Sequence, residues 1–250
     1  MKNLSFVFAV LLFFAFGATA QTTNGLSDAD IQGRELAQEI LEETPATNMT
    51  QTGVLRIRNS KGTTNIPVTF DTDLETEFWT VIYSAIPTNA SLVIIHQNGQ
   101  PNRYFEESPT IVKGRPQVIR PKVILNEIQI MAPFAGSDFW ICDLGLEFFH
   151  WPEQKVLKHE TRRTRACAVL ESINPNPAAG GYSRVDTWID NETLGVVHAE
   201  AYDANDKLLK IFDPKSFKKV NGQWELEDME IRNVQTGSRT VIKFDLNSGS

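Results

Sequence analysis

The sequence contains few cysteines and lacks the common catalytic motifs. Only two cysteines occur among 250 residues, and the four histidines show no metal-ligand spacing, so no metal site is predicted. The pair Gly180-Gly181 precedes a predicted strand instead of a helix, which argues against a phosphate-binding loop. The serines lack the G-x-S-x-G setting of hydrolases. We therefore expect neither an enzyme nor a cofactor.

Carboxylates are frequent between Glu160 and Asp203, and paired carboxylates carry the acid and base chemistry of glycosidases. Most of these residues fall at turns or at the outward phase of alternating strands. We interpret them as a solvated face.

Long apolar runs are absent after the first twenty residues. Lys2, the apolar run Leu4 to Phe16 and the small residues Ala18 to Ala20 are typical of a secretion signal. The run is shorter than the roughly 18 residues that span a bilayer. We predict a signal peptide over residues 1–20 and a single domain over residues 21–250. Because no cysteine lies near the predicted cut, the mature chain is expected to be soluble outside the cytoplasm.

Positive charge is also scarce. Lys and Arg number 24 against 31 Asp and Glu, a formal net charge of −7, which argues against nucleic acid or anionic headgroups as main partners. One basic cluster stands out, and it has two interpretations. It forms either an exposed strand face that resists edge pairing or a docking patch for a membrane partner or lipid phosphates. The cluster consists of Lys155, Lys158, Arg162, Arg163 and Arg165.

The two cysteines, Cys142 and Cys167, follow the predicted secretion signal. An oxidising compartment favours a single disulfide between them, with two free buried thiols as the alternative. Closing that loop would stabilise the fold by roughly 3 kcal/mol in the chain-entropy estimate.

Helical periodicity appears first between Ser27 and Pro45. Ser27 is the predicted N-cap, and Asp28 and Asp30 place negative charge in the first turn. The helix has one apolar stripe and one acidic face, so we expect it to lie on the concave side of a sheet. The stripe consists of Leu36, Ala37, Ile40 and Leu41.

After Pro45 the apolar period changes to two, which predicts antiparallel strands separated by Gly, Pro, Asn or Asp. A sheet with this many strands tends to curl or close. The predicted strands are Val54 to Asn59, Asn65 to Thr72, Glu77 to Ser84, Ser91 to Gln97, Lys155 to Arg163, Arg165 to Ser172, Ser183 to Ile189, Gly195 to Tyr202, Leu208 to Asp213, Lys215 to Val220, Trp224 to Arg232 and Thr240 to Phe244.

A proline-rich middle interrupts the strands. Within it, Val118 to Ile130 predicts a short helix or an extended flap. The densest aromatic cluster follows, from Asp138 to Trp151, and predicts a short helix that Ser137 or Asp138 caps and Pro152 ends. This helix is placed where a lid or plug for a concave sheet would lie.

The C-terminal half carries, in order, DLGLEFFHWPEQ, TRACAVLES, YSRVDTWIDNETL, AEAYDANDKLLK, NGQW and DMEIRNVQTGSRTVIKF. Together these segments resemble the outer membrane lipoprotein-sorting family, the LolA-like group, in a longer uncharacterised branch. The resemblance implies an α+β fold, an incomplete antiparallel β-barrel (a half-barrel of the LolA and LolB kind) covered by a few helices.

The same resemblance implies a periplasmic carrier that binds acyl chains of lipoproteins or lipids in an apolar cavity for transfer towards the outer membrane. Its partners would be an inner-membrane donor and an outer-membrane acceptor. A stationary envelope interaction or sensor module on the same fold is the alternative. Eight residues are candidates for the cavity lining, with ordinary core packing as the alternative for each. They are Phe70, Trp79, Ile82, Ile94, Phe139, Trp140, Phe148 and Phe149.

Overall fold

The computed structural model describes residues 26–86, 88, 90–107, 110–112, 115–117, 123–220 and 223–246, so the predicted signal peptide lies outside the described residues. These residues contain helix α1 (Asp28–Glu42), the short helix α2 (Ile141–Leu144) and 3-10 turns at Gln129–Met131, Phe134–Gly136 and Glu147–His150. None of the described helices combines the length and the apolar composition that crossing a membrane requires.

The strands form one 13-stranded antiparallel sheet in the order β8-β5-β4-β3-β2-β1-β15-β14-β13-β12-β11-β10-β9, and β6 pairs with β7 separately. The sheet ends at β8 on one side and β9 on the other, which makes it an incomplete barrel, as predicted. The strands are β1 (Met49–Asn59), β2 (Gly62–Leu74), β3 (Trp79–Ala85), β4 (Ala90–His96), β5 (Arg103–Glu107), β6 (Thr110–Val112), β7 (Arg115–Gln117), β8 (Val123–Ile124), β9 (Glu153–Arg162), β10 (Arg165–Ile173), β11 (Arg184–Asp190), β12 (Val196–Tyr202), β13 (Leu208–Val220), β14 (Gln223–Asn233) and β15 (Arg239–Phe244).

Helix α1 begins as the sequence predicts. The Asp30 amide donates to Ser27 Oγ at 3.3 Å, and the Ser27 amide donates to the Asp30 carboxylate at 2.9 Å, so a capping box satisfies two backbone donors. The helix lies against β9 at Gly33, where an added Cβ would come within 2.4 Å of the Lys155 backbone nitrogen. This contact brings the apolar stripe of α1 onto the sheet.

One strand differs from its prediction. The segments Leu208 to Asp213 and Lys215 to Val220 were expected as two strands, but they form the continuous strand β13. The pairing with β14 shifts register on both sides of Ser216. Pro214, which has no backbone N–H to donate, lies beside this irregularity, where a proline is tolerated inside a sheet.

The sheet has an inner face, which α1 and residues 125–151 cover, and an outer face. Leu55, Ile94, Leu170 and Ile242 belong to the inner core and are at most 1% exposed. Because side chains alternate along a strand, Cys167 lies on the opposite face from Leu170. It packs there with Val169 and Trp188.

The predicted disulfide is wrong. Both cysteines are free and buried. Cys142 belongs to the inner core and its Sγ lies 3.5 Å from Met131 Sδ, whereas Cys167 packs on the outer face. A sheet therefore separates the two sulfur atoms, and no bond between them is possible without moving a strand.

We call residues 125–151 the plug. The predicted helix from Asp138 to Trp151 is wrong in its length, because it consists only of α2 and one 3-10 turn. The helix is interrupted at Leu146, whose backbone is left-handed (φ 50°). The preceding residue, Gly145, lies so close to the sheet that a Cβ there would be 2.2 Å from the Tyr104 hydroxyl oxygen. Of the predicted helix or flap from Val118 to Ile130, residues 118–122 lie outside the described residues, and the rest supplies β8 and part of a 3-10 turn.

Candidate functional site

The centre of the plug is attached to the sheet by Lys210 of β13, which is 1% exposed. Its ammonium donates to the Asp138 carbonyl oxygen at 2.7 Å and lies 3.4 Å from the Asp143 carboxylate. It also lies 3.5 Å from the centre of the Trp140 ring. Burial lowers the pKa of Lys210, and the Asp143 carboxylate opposes that effect. The lysine thus joins β13 to three residues of the plug.

Two plug carboxylates have further hydrogen bonds, one to β15 and one to the connection between β10 and β11. The Thr240 hydroxyl of β15 donates a hydrogen bond to the Asp138 carboxylate at 2.8 Å and accepts one from the Asp138 amide at 2.9 Å. The Tyr182 hydroxyl donates to Asp143 at 3.1 Å. The two hydrogen bonds between Asp138 and Thr240 are buried, so breaking one without a replacement costs about 1–3 kcal/mol.

Backbone carbonyls at the C-terminal part of the plug are also paired. Gln154 donates to the carbonyls of Phe148 and Trp151, each at 2.9 Å, and accepts from Ser172 at 2.7 Å. Tyr83 donates to the Leu144 carbonyl at 3.1 Å. The plug is therefore a closed cover in this structure, held by polar contacts at several strands.

Four of the predicted lining residues are packed core. Ile94 of β4 and three plug aromatics, Phe139, Phe148 and Phe149, are at most 6% exposed. Phe148 and Phe149 contact each other edge to face at 4.6 Å. The vacancy that we predicted beside these side chains is filled by the plug itself.

Trp140, Phe70 and Trp79 are partly buried. Trp140 stacks on Tyr182 at 4.5 Å, and Phe70 packs edge to face on Tyr83 at 5.4 Å, so both lie on the inner face. Trp79 stacks on His96 at 3.9 Å.

Ile82 is a wrong assignment. It follows Trp79 by three residues on a strand without a bulge, so it faces the outer side while Trp79 and Tyr83 face inward. The prediction combined residues from both faces of β3 into one cavity lining.

Two spaces lie between the plug and the hairpin of β4 and β5, at its opposite ends. The smaller is a cavity of about 40 Å³ beside Leu92 and Phe134, and the larger is an open groove of about 560 Å³. The plug thus leaves space at both ends of this hairpin. The groove is lined by Pro101, Asn102, Tyr104, Leu125, Asn126, Glu127, Ile128, Ile130 and Glu147.

The polar end of the groove is built around Glu147. The buried Tyr104 hydroxyl donates to its carboxylate at 2.8 Å, and Asn102 donates to the Tyr104 oxygen at 3.3 Å. Burial raises the pKa of Glu147 to about 7. Hydrogen bonds from Tyr104 and Asn102 lower it, and the nearby Glu127 carboxylate raises it.

The sequence prediction missed this groove. Its lining comes from three separate segments: the start of β5, the residues after β8 and the last 3-10 turn. The one sequence signal was the spacing of Leu125, Ile128 and Ile130 inside the predicted flap.

The basic cluster lies at and beside the edge strand β9. Arg163 pairs with Asp213 at 3.1 Å and Arg165 with Asp190 at 3.4 Å. The other partners are also local, since Lys158 pairs with Glu160 and Arg162 lies over the Trp188 ring. These contacts favour the strand-protecting interpretation of the cluster over a free docking patch.

The carboxylates between Glu160 and Asp203 lie largely on the outer face, as the alternation indicated. Two of them are not solvated, because Asp186 and Asp190 are 7% and 4% exposed. Each pairs with an arginine, Asp186 with Arg184 and Asp190 with Arg165. We therefore correct the solvated-face interpretation for these two residues and assign them a structural role.

A family model described as "Uncharacterized protein" matches residues 116–247, just over half of the chain. The chain belongs to this family. A search of the curated proteins found no match.

Three solved structures resemble the chain over most of its length. A DUF1329 family protein from Desulfovibrio piger is 18% identical with a TM-score of 0.66, over 90% of this chain and 95% of the other. An outer membrane lipoprotein-sorting protein domain from Vibrio parahaemolyticus is 18% identical with a TM-score of 0.67, over 88% and 94%. A LolA superfamily protein from Nitrosomonas europaea is 14% identical with a TM-score of 0.56, over 88% and 92%. The chain therefore has the LolA-like fold, which confirms the predicted resemblance and fold class.

Proposed function

We propose that the chain is a periplasmic carrier that binds an acyl chain of a lipid or lipoprotein in the groove between the plug and β5. The observation that carries this proposal is the groove itself, whose volume of about 560 Å³ lies within the usual range of small-molecule sites. Its lining includes Leu125, Ile128 and Ile130, and Ile128 is 71% exposed.

The energy of such binding comes from the removal of methylene groups from water. Each buried methylene contributes about 0.8 kcal/mol, so a chain laid along Leu125, Ile128 and Ile130 needs only part of its length buried to bind. The carrier requires no catalytic step.

A long acyl chain needs more room than the groove offers. Such a chain would extend towards the small cavity at the other end of the β4 and β5 hairpin. Tyr104, which lines the groove, is 3% exposed, and Ile141, which lines the small cavity, is 8% exposed. Moving the part of the plug around Phe134 and Ile141 away from β4 would extend the small cavity, while the contacts of Glu147 with Tyr104 and of Asp138 with Lys210 and Thr240 stay intact. The proposed carrier therefore opens at the hairpin.

Binding of a fluorescent acyl probe with an uncharged headgroup tests the proposal. Ile128→Asp places a charge at the groove, whereas Ile86→Asp changes an isoleucine of similar exposure (66%) in the β3 to β4 turn, away from the groove lining. We expect Ile128→Asp to weaken binding by about tenfold or more, which corresponds to about 1.4 kcal/mol, and Ile86→Asp to leave it unchanged. Absence of saturable binding by the unmodified protein would overturn the carrier.

The second candidate is a stationary interaction module on the same fold. The observation in its favour is the filled inner face, where Phe139, Phe148 and Phe149 occupy the place of a ligand. Native mass spectrometry of protein isolated from its own envelope separates the two functions. A copurified lipid or acylated peptide supports the carrier, and a stoichiometric protein partner without lipid supports the module.

A further inference from the structure

The groove beside the plug is acidic at its polar end. Glu127 and Glu147 both line it, and neither Lys nor Arg is among its described lining residues. The Glu147 carboxylate is held in place by Tyr104 at 2.8 Å, and Asn102 is held by its donation to the Gly145 carbonyl at 2.8 Å. The polar end is therefore built before a ligand arrives.

The two histidines near Asn102 add no positive charge there at neutral pH. Burial lowers the pKa of His96 to about 4, although a hydrogen bond with Asn102 raises it and His150 lowers it further. Burial lowers the pKa of His150 as well. Among the described lining residues an anionic headgroup would find no cation, and above the pKa of Glu147 it would be repelled by the carboxylates of Glu127 and Glu147.

We propose that the groove selects amphiphiles with a cationic amine headgroup, which places the ammonium against Glu127 and Glu147 and the alkyl chain along Leu125, Ile128 and Ile130. This inference rests on the proposed function and names its ligand class. A charged hydrogen bond from an ammonium to a carboxylate contributes more than a neutral one, and the partly water-excluded groove strengthens it.

The selection depends on the protonation of Glu147. The titratable groups that face it are Tyr104 from β5, Cys142 from α2 and Glu127 from the segment after β8. Burial raises the pKa values of Tyr104 and Cys142, so both stay neutral, and Glu127 is the other carboxylate. A bound ammonium therefore favours loss of the Glu147 proton, and amine binding strengthens as the pH rises through about 7.

Titration calorimetry with dodecylamine, dodecanol and dodecanoate, each below its aggregation concentration, tests the inference on the full chain. At about one pH unit above the pKa of Glu147, we expect dodecylamine to bind about tenfold or more tighter than dodecanoate, with dodecanol between them. The preference should shrink at about one unit below that pKa. Glu147→Gln and Glu127→Gln should each reduce it severalfold.

Glu77→Gln is the matched control, because it removes the same charge from an exposed site in the turn between β2 and β3. An amine preference that falls equally in all three variants would show that net charge causes it, and a preference unchanged in all three would show that neither groove carboxylate does; either result overturns the inference. Equal binding of the three probes, or tighter binding of dodecanoate, also overturns it but leaves the carrier standing. Failure of all three probes to bind would instead reject the proposed function.

Discussion

The ammonium of Lys210 lies 3.5 Å from the centre of the Trp140 ring, so a charged side chain of the sheet and an aromatic side chain of the plug are in direct contact. A cation in this position over an indole is attracted by the ring electrons, and the attraction is greater when water is excluded. The same ammonium reaches the Asp138 carbonyl. Lys210 is thus the residue through which the plug and β13 depend most on each other.

Lys210→Met tests that dependence. The change keeps the side-chain volume but leaves the Asp143 carboxylate without its cation, and breaking a buried pair costs roughly 3 kcal/mol. Urea denaturation followed by circular dichroism should show a lower free energy of unfolding. Lys219→Met, an exposed change on the same strand, should stay within about 0.5 kcal/mol of the unmodified protein. Equal effects of the two changes would contradict a linking role for Lys210.

Gly33→Ala should destabilise the protein, although Gly to Ala within a helix is normally favourable by about 1 kcal/mol. An added Cβ would lie 2.4 Å from the Lys155 backbone nitrogen, so α1 or β9 must move. Thermal unfolding measures the sign of the effect. Gln32→Ala, the exposed neighbour in the same helix, should be close to neutral, and a stabilised Gly33→Ala protein would show that the contact between α1 and β9 is looser than described.

Both cysteines should be available as thiols without any reducing agent. Alkylation of the denatured, unreduced protein should add two labels in the intact mass, one at Cys142 and one at Cys167. In the native protein both should react slowly, because each thiol is at most 1% exposed and burial raises both pKa values. An intact mass without labels would mean that the thiols are bonded.

Glu147 should make stability fall as the pH rises. Its pKa is about 7 in the folded protein against an ordinary value of 4.5, so between these values the folded state keeps a proton that the unfolded state has lost. Stability is therefore lost through this window, by about 2 kcal/mol once the openness of the groove is allowed for.

Glu147→Gln should remove that loss, because the amide does not ionise and its oxygen still accepts from Tyr104. Denaturation midpoints between about pH 5 and pH 8 measure the slope. Glu77→Gln, at an exposed position, should keep the slope of the unmodified protein. A steep slope that survives in Glu147→Gln would assign the effect to another group.

Most strands were predictable because their alternation is a local signal, but β5 to β8 were not predicted. Asn65 to Thr72 lies within β2, and Arg165 to Ser172 within β10, with boundaries a few residues off. The continuity of β13 was not predictable, since Pro214 reads locally as a break and only the partner strand β14 provides the irregular pairing that accommodates it.

The site was less predictable than the sheet. The aromatic segment was correctly placed as a cover, but whether Phe139 and Phe148 line a vacancy or fill it depends on how closely the plug approaches the sheet. That distance is set by long-range contacts such as the one between Lys210 and Asp138. Ile82 was assigned to the wrong face for a simpler reason, because the prediction ignored the alternation of side chains along β3.

The pairing of β1 with β15 has a consequence for how the molecule is made. Leu55 lies opposite Ile242, so β15, the last strand that the structure describes, occupies the middle of the sheet between β1 and β14. Contacts this distant along the chain form late and slowly. A chain that leaves a ribosome or a translocation channel N-terminus first would therefore have an incomplete sheet until β15 emerges, and loss of β15 would split the sheet in two.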